Sequence, residues 1–148
     1  MSFNLNAIPT DSDHGLTLTA LETRLRGRLA SDPVRSEIVH EPGAPPICPP
    51  HLRFIWRETD MGTAGEWFAL IFLESGDDII DANRDHVASS LNRCPSPDDV
   101  RAADTRVRIL FHDDPNREFT NTAVELMTFL DDLPSAVVYD PQQHKFST

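Results

Sequence analysis

Asp78, Asp81 and Asp85 recur at i, i+3 and i+7, which places three carboxylates on one face of a helix. Asp77 stands just before them and His86 follows the last. A second acidic group, Asp113-Asp114, follows an alternating stretch and is preceded by His112. Hard oxygen donors of this kind suit Mg²⁺, Mn²⁺ or Ca²⁺, and such an ion can activate water in a hydrolase. If both groups opened on one edge of a sheet they would converge, with Asp78, Asp81 and Asp113 as the ligands. The competing account is simpler. Acids in a first helical turn complement the dipole and the orphan N–H groups. Asp-Asp-Pro-Asn is ordinary turn chemistry. The second account is the expectation, so no metal ion and no other cofactor is expected.

Thiol chemistry has one opening. Cys48 with a histidine would make a nucleophile–base pair, and His51, His86 and His112 each have an acidic or thiol neighbour in sequence. Hydrogen-bonded or solvated histidines are the expected outcome. The chain has no EF-hand spacing, P-loop, dinucleotide glycine pattern, nucleophile elbow or helical His-x-x-x-His pair. No catalytic residue is expected.

Charge points to a different kind of work. The 24 acids and 13 bases give −11 and a pI near 4.8. From Glu74 onward lie 15 of the acids but only 7 of the bases. Such a surface repels phosphates and anionic lipids, which argues against nucleic-acid or membrane binding, and it favours basic partners. The carboxylates expected to meet such a partner are Glu74, Asp77, Asp78, Asp81, Asp85, Asp113, Asp114 and Glu118. Cys48 and Cys94 form no C-x-x-C pair and are read as free thiols in a reducing cytoplasm, with a disulfide as the alternative. The start, MSFNLNAIPTDSD, lacks a basic and an apolar segment and is not read as a signal peptide.

The elements that must position these residues are legible in outline. At 148 residues, one domain with a real core is expected, its ends at 1–15 and 142–148 loose. Trp67 to Leu73 is apolar enough for a central strand buried on both faces. Residues 51–59 alternate and should pair with it antiparallel. Thr19 and Glu22 match a capping box before a leucine stripe at 18, 21, 25 and 29. Residues 41–50 hold five prolines and read as an extended connector. Further helices are expected over 78–93, from Ser96 to Ala103, and from Thr120 or Asn121, the last with Thr122 and Glu125 as a second box. Strands are expected over 34–40, 106–112 and 136–139.

That order gives an α+β domain: a mixed, largely antiparallel sheet with about three helices packed on it, a ferredoxin-like arrangement being one option. The function expected is that of a small, acidic, non-enzymatic protein-binding protein. Its type would be a bacterial inhibitor or immunity protein that neutralises a toxic enzyme by binding its basic surface. The alternatives are a metal-dependent hydrolase using the Asp cluster and an acidic secretion chaperone. A homodimer is a further reading.

Overall fold

The computed structural model describes residues 3–29, 35–44, 48–57, 66–114 and 119–147. The longest strand grows from the apolar run: β4 (Glu66–Ser75) places Trp67, Ala69 and Ile71 on one sheet face, all but fully buried. Of the alternate residues, Phe68 and Leu70 are only half-buried, while Phe72 is buried at 6% exposure. So β4 is not sealed on both sides as expected; a continuous apolar run here serves one covered face and one partly open one.

Around β4 the described strands form one antiparallel sheet. With β1 (Phe3–Pro9), β2 (Ser36–Glu41), β3 (His51–Arg57), β5 (Thr105–Phe111), β6 (Ala136–Asp140) and β7 (Lys145–Phe146), the order is β2-β3-β4-β5-β1-β6-β7. The expected β3–β4 pairing is present, with Phe54 opposite Ala69 and Trp56 opposite Trp67.

The N-terminal lead-in differs most from expectation. It is an inner strand, paired to β5 through Leu5 and Ile109 and to β6 through Ala7 and Val138. Asn4 and Asn6 disguise it, because polar residues at alternate positions resemble a loop or an edge. Here Asn6 is buried at 2% exposure. Since β1 lies between them, β5 and β6 run in the same direction without touching. The strands β4-β5-β1-β6, with α1 (Leu18–Leu29) and α4 (Thr120–Asp131), have the order and directions of a ferredoxin-like sheet. The β2–β3 hairpin follows α1 and extends one edge.

Four helices form among the described residues, two on each face. Leu21 and Leu25 of α1 and Leu126, Phe129 and Leu130 of α4 close the main core over Leu5, Phe54, Trp67 and Ile109. Burying each such side chain contributes about 1.5–3 kcal/mol. On the other face, α2 (Asp77–Ser89) and α3 (Pro97–Ala102) cover a smaller cluster built on Ile8, Cys94, Val100, Tyr139 and Phe146. No described helix is long and apolar enough to cross a membrane.

The capping boxes are not those expected. Thr17, not Thr19, caps α1, accepting from Ala20 N at 3.0 Å. Glu22 turns instead to Arg26 and His40. Thr122 is buried within α4, whose start is tied by Phe119 N donating to Asp114 Oδ2 at 2.9 Å. Ser96 gives α3 no side-chain cap.

The C-terminal stretch is docked where it was expected to be loose. Leu91 N donates to His144 O, and Asn92 closes the outer edge of β7: its side-chain amide donates to Phe146 O (2.7 Å) and accepts from Phe146 N (2.8 Å). At the opposite edge, Arg26 of α1 reaches over β2 to Ile38 O at 3.4 Å. Neither edge is a bare row of backbone groups.

Candidate functional site

The acidic residues divide between two ends of the sheet. Gly76, at φ 132, ends β4 and donates its N–H to Asp104 O at 3.0 Å, which joins the end of β4 to the start of β5. From that junction α2 begins. Ile79 and Asn83 turn inward, whereas Asp77, Asp78, Asp81 and Asp85 are exposed and make no ion pair among the described residues. Asp113 and Asp114 follow the far end of β5, seven residues and roughly 20 Å away from the start of α2.

Asp78 and Asp81 are therefore not brought together with Asp113. Among the described residues, no group of three or more His, Cys, Asp or Glu side chains is placed to hold a metal ion. Glu118 lies outside the described residues. Glu74 is already engaged, accepting from Arg106 Nε and Arg108 Nε, each at 2.9 Å. Burial pushes its carboxyl up, but the two arginines outweigh burial and hold it below the usual range.

A further surface is the second sheet face over β2 to β5. The register places Val39, Arg53, Leu70 and Leu110 in one row across four strands. All four are half-buried, and none belongs to either core cluster. Phe68 and Phe72 stand on either side of Leu70 along β4. His112 stacks on Phe68 at 4.3 Å between centroids, and Arg53 lies over the same ring at 5.5 Å. Arg108 lies over Phe72 at 4.3 Å.

Each arginine here also has a glutamate: Arg53 with Glu41, Arg57 with Glu37 and Glu66, Arg106 and Arg108 with Glu74. The face is thus charge-balanced within a chain of −11. Phe68 was expected in the core and belongs instead to this face, while Phe54 and Trp67 are core. The signal lay in the alternation of Arg106, Arg108 and Leu110 against Val107 and Ile109, which marks a face that packing elements leave uncovered.

One rim of this face carries Cys48, His51 and Glu41. Gly43 makes the loop possible: at φ +68, a Cβ there would fall 2.4 Å from Cys48 O. Ala44 and Cys48 exchange backbone hydrogen bonds of 2.8 and 3.0 Å. Cys48 Sγ then lies 3.9 Å from His51 Nδ1, and His51 Nε2 lies 3.6 Å from Glu41 Oε2. The same Nδ1 is 3.0 Å from Pro49 O. A carbonyl only accepts, so Nδ1 carries the proton and donates it there. The nitrogen nearest the sulfur is a donor in this arrangement and cannot take a thiol proton. The grouping therefore lacks the nucleophile–base alignment of a thiol hydrolase. Cys94 is buried on the α2–α3 side, and both thiols are free.

His86 turns inward from α2 and stacks on Tyr139 at 4.2 Å. Burial first, then Arg106, hold its ring below the ordinary histidine value, against the pull of Asp85. His86 Nε2, Asn6 Oδ1 and Asn83 Oδ1 have no hydrogen-bond partner among the described residues. No protein-family model matches this chain, and comparison with curated proteins and with solved structures found no match either.

Proposed function

We propose that this chain is a protein-binding protein, of the inhibitor or immunity type, that docks a partner with an apolar centre and a basic rim onto the open face of β2 to β5. The observation that carries this reading is the half-exposed row Val39, Leu70 and Leu110, with Phe68 beside it, left uncovered by any described helix. Patches of this kind mark interaction sites more often than bare solvent surface. The charge of the partner follows from the pairing. The arginines of the face are each neutralised by glutamate, whereas Asp77, Asp78, Asp81 and Asp85 on α2, which packs on the same side of the sheet, have no ion-pair partner among the described residues. Those carboxylates steer encounter with a cationic surface; the apolar row supplies the contact that holds it.

The experiment is isothermal titration of the chain with the protein encoded beside it, at low and high ionic strength. Leu70→Asp should abolish association while leaving a folded, dispersed amide spectrum. The pair Asp78→Asn/Asp81→Asn should slow association and flatten its salt dependence. Association indifferent to both changes and to salt would overturn the reading.

A further inference from the structure

On the opposite face of the sheet from that patch, a groove runs between α4 and the β1–β6 pair. Two adjoining cavities of about 480 and 460 Å³ share Asp131 and Val138. Each is in the size range of sites for small organic ligands. The floor of the larger one is apolar, made by Phe3 and Leu5 of β1, Met127 of α4 and Val138 of β6. Two carboxylates border it, and their situations differ.

Asp140 is saturated. Its Oδ1 accepts from Gln142 N at 2.9 Å, Gln142 Nε2 at 2.7 Å and Gln143 N at 3.3 Å. Asp132, the neighbour of Asp131, is paired with Arg28. The side chain of Asp131 makes no hydrogen bond or ion pair with any described residue. Partial burial, and then the like charge of Asp132, push its carboxyl up. Asp131 is solvent-exposed at the edge of this apolar floor, an acceptor open to a ligand that supplies a cation.

We propose that this groove binds an organic cation with an apolar body, an alkyl- or arylammonium group whose charge meets Asp131 while its hydrocarbon lies along Phe3, Leu5, Met127 and Val138. The chemistry explains the pairing of features. The floor alone would take any hydrocarbon, and Asp131 alone would take any cation in solution; only a ligand with both parts uses the whole groove. Such an ammonium arises as a free amine or as a lysine side chain beside an apolar residue in a peptide.

The test is a titration of the full chain followed by amide ¹H–¹⁵N shifts, with three probes: phenethylammonium, its neutral isostere 2-phenylethanol, and N-acetyl-phenylalanyl-lysine amide. Phenethylammonium should give saturable shifts at Leu5, Met127, Asp131 and Val138, and the alcohol should bind at least about tenfold more weakly. Asp131→Asn should cost the amine a similar factor without loss of spectral dispersion. Met127→Lys, which sets an ammonium four residues before Asp131 on the same helix face, should abolish binding by occupying the site from within. Stronger shifts with the dipeptide assign the site to a peptide side chain; stronger shifts with the free amine assign it to a small molecule. Absence of saturable shifts, equal binding of the alcohol, or indifference to Asp131→Asn would overturn the proposal. Because the groove lies across the sheet from Leu70, these outcomes are independent of the partner-binding test.

Discussion

The side chain of Gln142 hydrogen-bonds the backbone of Asn4 twice, Oε1 accepting from Asn4 N at 3.0 Å and Nε2 donating to Asn4 O at 2.7 Å. The β1–β6 ladder stops at Asn6 opposite Tyr139, and the next residues of the outer strand include Pro141, which has no N–H to give. A primary amide carries the same donor and acceptor as a peptide unit, so Gln142 supplies the rung that proline removes. Gln142→Ala should therefore destabilise the fold by about 1–2 kcal/mol, since Asn4 loses both partners. Urea denaturation measures this directly; a change of only a few tenths would show that water replaces the amide without loss.

Two consecutive residues of β4 should respond in opposite ways. Ile71 is fully buried beneath α1 and α4, and Ile71→Ala should cost about 2–5 kcal/mol through lost burial and a residual cavity. Leu70 points to the open face, and Leu70→Gln should cost less than about 1 kcal/mol. Comparable losses at both positions would mean that the second face is packed as tightly as the first.

Acid should weaken the fold in two stages. The folded chain holds His86 below its ordinary 6.5, chiefly by burial, so below that pH the unfolded chain binds more protons. Stability from this group is complete above 6.5 and is lost as pH falls beneath it. Glu74 acts in the same direction but lower, because its carboxyl is held below its ordinary 4.5 by Arg108 and Arg106 in spite of burial. In a series of urea midpoints against pH, His86→Phe should remove the decline just below 6.5 and keep the stack on Tyr139. Glu74→Gln should remove only the steeper fall near and below 4.5. A wild-type curve that is flat down to 4.5 would contradict the histidine assignment.

The two thiols should react at different rates. Burial raises the Cys94 thiol, only partly countered by Arg101, and Sγ faces Pro95 O at 3.2 Å. Cys48 is half-exposed at the rim of the open face. Under native conditions iodoacetamide should label Cys48 first and Cys94 only on unfolding, with the difference disappearing in denaturant. Mass spectrometry of quenched time points reads both sites. Equal native rates would mean that the α2–α3 cluster opens readily.

What the sequence disclosed and what it hid follow from range. Trp67 to Leu73, the β3–β4 pairing, the leucine stripe of α1 and the apolar stripe of α4 depend on local periodicity and were legible. The place of β1 was not, because Asn4 and Asn6 break the apolar alternation and their partners, Gln142 and the strand neighbours Arg108 and Tyr139, lie at the far end of the chain. The same limit governed the candidate site. Helical spacing put Asp78, Asp81 and Asp85 on one exposed face correctly, but only strand order shows that Asp113 leaves the sheet from the other end of β5. The first capping box failed for a local reason: Thr17 and Thr19 flank Leu18, where the stripe begins, and the helix starts at Leu18, so Thr17 takes the cap.

The position of β1 also sets a schedule for the chain. During synthesis β1 emerges before either of its neighbours, since β5 and β6 are encoded far downstream and the helices of both faces come between. The β2–β3–β4 meander can zip by itself on the ribosome, but the sheet cannot be joined across its middle until the C-terminal half is released. Contacts of such long sequence separation are slow to form. Until then the apolar face of β4 waits uncovered in a nascent chain, where aggregation competes with completion. Completion of the sheet is gated by β5 and β6, although β1, the strand they close on, is made long before them.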